Sequence, residues 1–203
     1  MGKYTIRPYT IDDFEGLLDV QKEAFPPPFP EELWWSREQI QAHFETFPEG
    51  ALLAEDDGII VGSATSLLIA FNGESHTWEE VADRGYIRNS HNSNGESLYG
   101  IDVCVRPSYR GQGVAKALYE ARKETVKQLG LKRFLAGCRI PNFHEYAHKM
   151  NVEDYIEAVT RGSIHDLVLS FMLKRGLTVV QPLPNYLADE ESLNYAVLVE
   201  WRP

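Results

Sequence analysis

The sequence predicts one α/β domain, residues 1–203, built around a mixed sheet. Three observations carry this expectation. Apolar patterns of strand and helix period alternate as strand, two helices, three strands, helix, strand, helices, two strands. Cap and turn residues punctuate those patterns where helices and hairpins would begin and end. Hydrophobic residues make up 43% and charged residues 25%, so a chain of 203 residues can bury a full core without metals or disulfides.

Residues 4–7 alternate apolar and polar as a short strand. Thr10 and Asp13 have capping-box spacing, and Ile11, Phe14, Leu17, Leu18 and Phe25 mark one face of the helix that follows. That helix has to stop at Pro26-Pro27-Pro28, because proline lacks the amide the ladder needs. Ser36 and Gln39 open a second helix, which carries Ile40, Phe44 and Phe47 and ends before Pro48. Residues 51–55 and 59–71 form a hairpin around Asp56-Asp57-Gly58. The polar stretch 72–96 is too long for a plain connection and reads as a lid or insertion, with a short helix capped by Thr77 and Glu80 and closed by Gly85. Residues 98–105 form the next strand, and 114–129 an amphipathic helix ended by Gly130. A strand at 133–140 precedes two helical stretches near 143–160 and 164–175, with Gly176 as the stop. Strands at 177–181 and 194–201 close the chain across a Pro182/Pro184 loop.

Thirty acidic side chains face 20 basic ones, a formal charge of −10. Phosphate repulsion then makes nucleic acid a poor partner, and the balance suits an amine acceptor better. The longest uncharged stretch, residues 58–71, is too short to cross a bilayer and is broken by Ser63, Thr65 and Ser66. The first residues carry neither a signal-peptide apolar block nor a myristoylation pattern, since Ile6 stands where Ser or Thr is needed. Cys104 and Cys138 both sit in apolar runs, which points to a reducing, cytoplasmic setting. No membrane or metal is expected, and a homodimer is left open.

The most informative stretch is residues 103–115, Val-Cys-Val-Arg-Pro-Ser-Tyr-Arg-Gly-Gln-Gly-Val-Ala. A buried strand runs into a glycine-rich turn and straight on into a helix. The first amides of a helix have no internal partner, and its dipole puts partial positive charge at that end. Gly111 and Gly113 permit positive φ, so several amides can converge on a phosphate, and Arg110 can add a charge-assisted bond. A P-loop is absent, and the dinucleotide fingerprint fails where Lys116 replaces its third glycine.

The stretch does fit R-x-x-G-x-[GA] at Arg110, Gly113 and Ala115. In this, and in its element order, the chain resembles the GNAT acyltransferases. The resemblance implies a mostly antiparallel mixed sheet flanked by helices, with insertions at 72–96 and 143–163. It also implies that Arg110, Gly111, Gln112, Gly113, Val114 and Ala115 grip the pyrophosphate of acetyl-CoA or another acyl-CoA, while Val103, Cys104 and Val105 hydrogen-bond the pantetheine arm. Residues 139–147 and 184–193 resemble the acyltransferase domain found joined to carbon–nitrogen hydrolases. With no hydrolase domain among these residues, the module is expected to act alone.

The implied reaction moves an acyl group from the thioester to a small amine by direct attack, with a backbone amide near Cys104 holding the oxyanion. Asp102, a carboxylate in mid-strand on the face opposite Val103, is the candidate base; a structural ion pair or a substrate-orienting role explains it equally well. Many family members place an acidic tyrosine where this chain has Met172, so Tyr146 or Tyr155 substitutes, or the thiolate leaves unaided. Cys104 can be a nucleophile or inert packing. Asn142 matches the family's cofactor-contacting asparagine or caps the helix that follows.

Two other functions compete. One is an acyl-CoA sensor without turnover, which the missing tyrosine favours. The other is a zinc hydrolase built on His144-Glu145-Tyr146-Ala147-His148, which has H-E-x-x-H spacing but lacks a third ligand. Phe25, Phe29, Trp34 and Trp35, with Glu31 and Glu32 beside them, form either an acceptor wall or ordinary packing.

Overall fold

Seven strands hydrogen-bond in the order β1-β2-β3-β4-β5-β7-β6 in the computed structural model, which describes residues 3–26, 31 and 34–203. They are β1 (Thr5–Pro8), β2 (Ala51–Asp56), β3 (Ile59–Ile69), β4 (Ser97–Val105), β5 (Arg133–Arg139), β6 (Thr178–Leu183) and β7 (Ala196–Trp201). Every neighbouring pair is antiparallel except β4 and β5. Those two are joined by a helical crossover through α4 (Val114–Gln128), the connection that parallel neighbours require. The mixed, mostly antiparallel α/β class read from the chain is the one observed.

α1 (Phe14–Ala24) and α2 (Arg37–Thr46) cover one face, and α4 covers the other. The register shows the division. A Cβ on Gly62 would meet Val114 and Leu118 of α4, whereas the thiol of the next-facing residue, Cys104, reaches the Val20 carbonyl of α1. α5 (Val152–Thr160) and α6 (Leu169–Lys174) follow β5, and α6 lies beside α4, with Phe171 and Tyr119 ring centroids 5.8 Å apart. The main core runs along the α1/α2 face and the β5–β7 end, and a smaller cluster of Leu52, Ala54, Val61, Ala64, Val114 and Leu118 sits under α4.

All three capping boxes expected from the sequence form: Thr10 with Asp13, Ser36 with Gln39, and Thr77 with Glu80. The first opens a 3-10 turn at Ile11–Asp13 that leads into α1. α3 (Trp78–Ala82) ends two residues earlier than expected, because Asp83 itself adopts the left-handed conformation, φ +51°, ahead of Gly85. The helix expected over 143–160 divides. Residues 143–145 make a single 3-10 turn, and α5 starts only after Asn151, whose side chain caps the Asp154 amide. The helix expected over 164–175 shortens to α6. Asp166, fully buried, holds the preceding loop by accepting from the Val168 and Leu169 amides and from the Tyr155 hydroxyl. Pro182 lies within β6 rather than in a loop, which is tolerated because β6 is an edge strand. No helix among the described residues is long and apolar enough to cross a membrane.

β4 carries the feature that shapes the site. Thr65 faces Asp102 and Ser66 faces Gly100, so Ile101 is an extra residue, a β-bulge. In a regular strand Asp102 would share the α4 face with Gly100. The bulge turns it to the face of Thr65, under α1 and α2. Arg122 of α4, buried, fills the ladder break: its Nη2 donates to the Thr65 carbonyl at 2.8 Å and to the Asp102 carbonyl, and its Nε to Ser66 Oγ at 3.0 Å. Gly100 makes room, since a Cβ there would lie 3.0 Å from the guanidinium.

Candidate active site

α2, α3 and α5 each begin at a residue whose side chain caps the first turn, whereas α4 begins at Gly113, with φ +95° and no side-chain cap. Gly111, at φ +75°, turns the chain into that position. An added Cβ at either glycine would meet nothing within 4 Å, so backbone conformation rather than space requires glycine there. The amides of Val114, Ala115 and Lys116 are thus first-turn donors without a helical acceptor. They edge a cavity of about 270 Å³ whose lining also includes Val105, Tyr109, Arg110, Gly111, Phe171 and Arg175.

Val105, in the cavity lining, is also the last residue of β4, whose edge towards β5 opens into a gap in the sheet. β4 and β5 pair only through Ser97–Gly100 and Arg133–Ala136, while β5 stays paired to β7 through Arg139. Beyond Gly100 the two parallel strands part. The Arg106 amide donates to the Val61 carbonyl at 2.9 Å, which fixes the alternation along β4. Cys104 and Ser63 are then a hydrogen-bonded pair, and the amides of Val103 and Val105 face the gap. An extended ligand lying in the gap would find a strand edge ready to pair.

Asp102 stands at the head of this gap. Its Oδ2 is shut off from solvent and has no hydrogen-bond partner, and neither does the buried indole nitrogen of Trp35. Burial pushes its pKa up to about 6, against the pull of the Arg122 charge and the Val103 amide. Beside it runs a buried relay that the sequence did not reveal. His43 Nε2 lies 2.5 Å from the Gly85 carbonyl and must donate to it, which leaves Nδ1 to accept from the Tyr9 hydroxyl at 2.9 Å. Tyr9 in turn accepts from Thr65 Oγ1 at 2.9 Å. Burial lowers the His43 pKa to about 4, so its imidazole is neutral and the tautomer is fixed.

The 72–96 insertion packs over the same face. The Trp78 indole donates to the carbonyl of bulge residue Ile101 at 3.0 Å, and Trp35 and Trp78 stack with centroids 6.1 Å apart. His76 Nε2 lies 2.8 Å from the Tyr99 hydroxyl, which lies 3.0 Å from that of Tyr186. Tyr186 covers Gly137 on the open part of β5, where a Cβ would be 2.2 Å from its ring. The sequence offered no periodic signal for these contacts, because each joins residues far apart in the chain.

Of the residues singled out in the sequence, Val105, Arg110, Gly111, Gly113, Val114 and Ala115 line the cavity. Val103 and Cys104 lie further along β4. The Gln112 side chain turns away, accepting from Lys3 Nζ at 2.9 Å and donating to the Ser108 carbonyl at 2.8 Å. The Cys104 thiol is buried against α1, and burial raises its pKa well above that of a free thiol, the environment of inert packing rather than of a nucleophile. Asn142 does not cap the turn after it. Its Oδ1 accepts from the Leu167 amide at 2.9 Å, tying that turn to the loop before α6, away from the cavity. Tyr146 packs with its ring 5.5 Å from that of Tyr155, also outside the cavity lining, and Met172 is a buried core residue.

The H-E-x-x-H segment lies on a 3-10 turn and the residues after it, so no α-helical face aligns His144 with His148. The His144 Nδ1 donates to the carbonyls of Pro141 and Glu191. Among the described residues no group of three or more His, Cys, Asp and Glu is arranged to hold a metal ion. Trp34 is half-buried and its indole donates to the Phe25 carbonyl at 3.2 Å; of the other residues of the suggested acceptor wall, Phe29 and Glu32 lie outside the described residues.

Residues 14–148 match the model of the acetyltransferase (GNAT) family. An uncharacterized N-acetyltransferase of Bacillus subtilis (strain 168), YkwB, is 46% identical over 200 residues, covering 98% of this chain and 88% of that protein. A probable hydrolase from the same organism, YhcX, is also 46% identical, over 202 residues that cover 98% of this chain and 38% of the hydrolase. Among solved structures, a GNAT-like decarboxylase, GphF, in complex with isobutyryl-CoA superimposes with a TM-score of 0.79 over 98% of each chain at 22% identity. That last likeness is one of fold.

Proposed function

The chain belongs to the GNAT acetyltransferase family, and on that premise we propose that it transfers an acetyl or related acyl group from acyl-CoA to a small amine by direct attack. One observation carries the reading: a cavity at the uncapped start of α4 reaches Val105 at the end of β4, the strand whose unpaired edge runs back to Asp102. The amides of residues 114–116, with Arg110, would hold the pyrophosphate. The Val103 and Val105 amides would pair with the pantetheine arm and face the thioester oxygen. Bound acyl-CoA supplies the activated acyl group.

Asp102 accepts the proton that the amine must lose before its lone pair attacks the carbonyl carbon, and the C–S bond then breaks to release the thiolate. With its pKa at about 6, it is ionised and able to do so near neutral pH. Thiol release from acetyl-CoA against a panel of amines should therefore rise with pH around a midpoint near 6 and level off above it. Asp102→Asn should cost about 10²–10³-fold in rate and abolish that rise. A retained pH limb in the variant would remove Asp102 from the role.

The same substitution should act oppositely on stability. The folded-state pKa lies above the ordinary carboxylate value of 3.8, so between about pH 4 and 6 the folded form keeps a proton that the unfolded chain has lost, and stability falls as pH rises through that window. Asp102→Asn should thus raise the melting temperature at pH 8 and leave it unchanged below pH 4, read by scanning calorimetry.

A second reading, acyl-CoA binding without turnover, draws on buried Met172, which supplies no acid for the leaving thiolate. The amine panel separates the two, since a sensor binds acetyl-CoA and releases no thiol with any amine.

A further inference from the structure

We propose that Arg175 is a second phosphate-binding cation, closing on the pyrophosphate of the bound coenzyme from the α6 side, opposite the 110–115 loop. The proposal rests on the coenzyme site inferred above and extends it to a residue outside the glycine-rich motif. Arg175 lines the same cavity as Arg110, Gly111 and Gly113, but comes from a different element.

Its environment is that of a cation waiting for an anion. In a chain with a formal charge of −10, the guanidinium makes no hydrogen bond and no ion pair with any described residue, and its Nε is buried without a partner. Most other arginines of the described chain are matched: Arg7, Arg88, Arg106, Arg133, Arg139 and Arg161 each pair with a carboxylate. A buried donor left unsatisfied costs free energy unless a ligand completes it.

The side chain is also held in place. The Phe171 ring centroid lies 5.4 Å from the guanidinium carbon, and the Arg175 carbonyl accepts from Lys123 Nζ at 2.7 Å. The Lys123 contact matters electrostatically. The C-terminal end of a helix carries partial negative charge, which would repel a phosphate, and Lys123 and Arg175 together offset it. Gly176, at φ +83°, turns the chain away directly afterwards and keeps the helix end at the cavity. A guanidinium fixed in this way can donate two parallel bonds to a phosphate at little conformational cost.

Calorimetric titration of the wild type, Arg175→Met and Arg175→Lys with coenzyme A, 3′-dephospho-coenzyme A and pantetheine tests the assignment. Arg175→Met should raise the Kd for both phosphorylated ligands about 10-fold or more, equally for the two, and leave pantetheine unchanged. Arg175→Lys should recover part of the loss, and the difference from wild type should shrink in high salt. Unchanged affinity for both phosphorylated ligands would overturn the proposal, as would a loss confined to coenzyme A, which would put the 3′-phosphate at Arg175. An equal loss for pantetheine would also overturn it and make the role one of packing. If the wild type itself binds no coenzyme A, the underlying reading falls too, and the wild-type titration alone reveals it.

Discussion

Gly113→Asp should lower the affinity for coenzyme A by about 100-fold while leaving the protein folded. The substitution meets no steric obstacle, because nothing lies within 4 Å of the added Cβ. Two separate penalties apply. Gly113 sits at φ +95°, a conformation that a side chain disfavours by about 1 kcal/mol, and that cost falls on folding. The carboxylate then stands at the head of α4 among the amides that would face the phosphates, where like charges a few ångströms apart oppose each other by about 1–4 kcal/mol in a partly screened site. Gly113→Ala separates the two effects. It keeps the backbone strain without the charge, so it should show a similar drop in melting temperature and a much smaller loss of affinity. Titration calorimetry and thermal unfolding on both variants decide the matter, and wild-type affinity in Gly113→Asp would contradict the placement of the phosphates.

Arg122→Met should destabilise the protein more than any substitution at the cavity, by about 3–5 kcal/mol. The side chain is 2% exposed and its guanidinium bonds the Thr65 and Asp102 carbonyls and Ser66 Oγ across the bulge. Methionine keeps much of the volume and supplies no donors, so those acceptors are left buried without partners. Lysine is not a conservative replacement. Its single ammonium cannot bridge two carbonyls and a hydroxyl with the geometry of a planar fork, and Arg122→Lys should lose nearly as much. Urea unfolding measures both. A change below about 1 kcal/mol would show that the bulge holds itself together. A variant that stays folded should also lose activity, because the bulge is what turns Asp102 to the α1/α2 face.

The contrast between these two residues shows what the sequence made legible. Gly113 announces itself because its signal is local. Two glycines between a buried strand and an amphipathic helix can be read from neighbouring residues alone, and both adopt the positive φ that such a turn needs. The capping boxes at Thr10, Ser36 and Thr77 were readable for the same reason, since each satisfies its own amides within four residues. Arg122 gave no such sign. It occupies a position on an amphipathic helix where arginine is usually solvated, and its partners are 56 and 57 residues away in β3. The bulge was hidden too, because regular alternation through residues 98–105 gives no warning of an extra residue at Ile101. Tyr9, His43 and Thr65 were missed likewise, as a relay assembled from a loop, a helix and a strand. The break within 143–160 does carry a local signal. Asn151 followed by Glu153 and Asp154 is an N-terminal signature, and it marks where α5 begins.

A crystal structure of the protein with acetyl-CoA tests the central claim most directly. The account predicts pyrophosphate oxygens within hydrogen-bond distance of the amides at residues 114–116 and of the Arg110 guanidinium, with the thioester in the gap between β4 and β5 near Asp102. Phosphates held elsewhere on the surface, or a pantetheine arm running outside that gap, would contradict it.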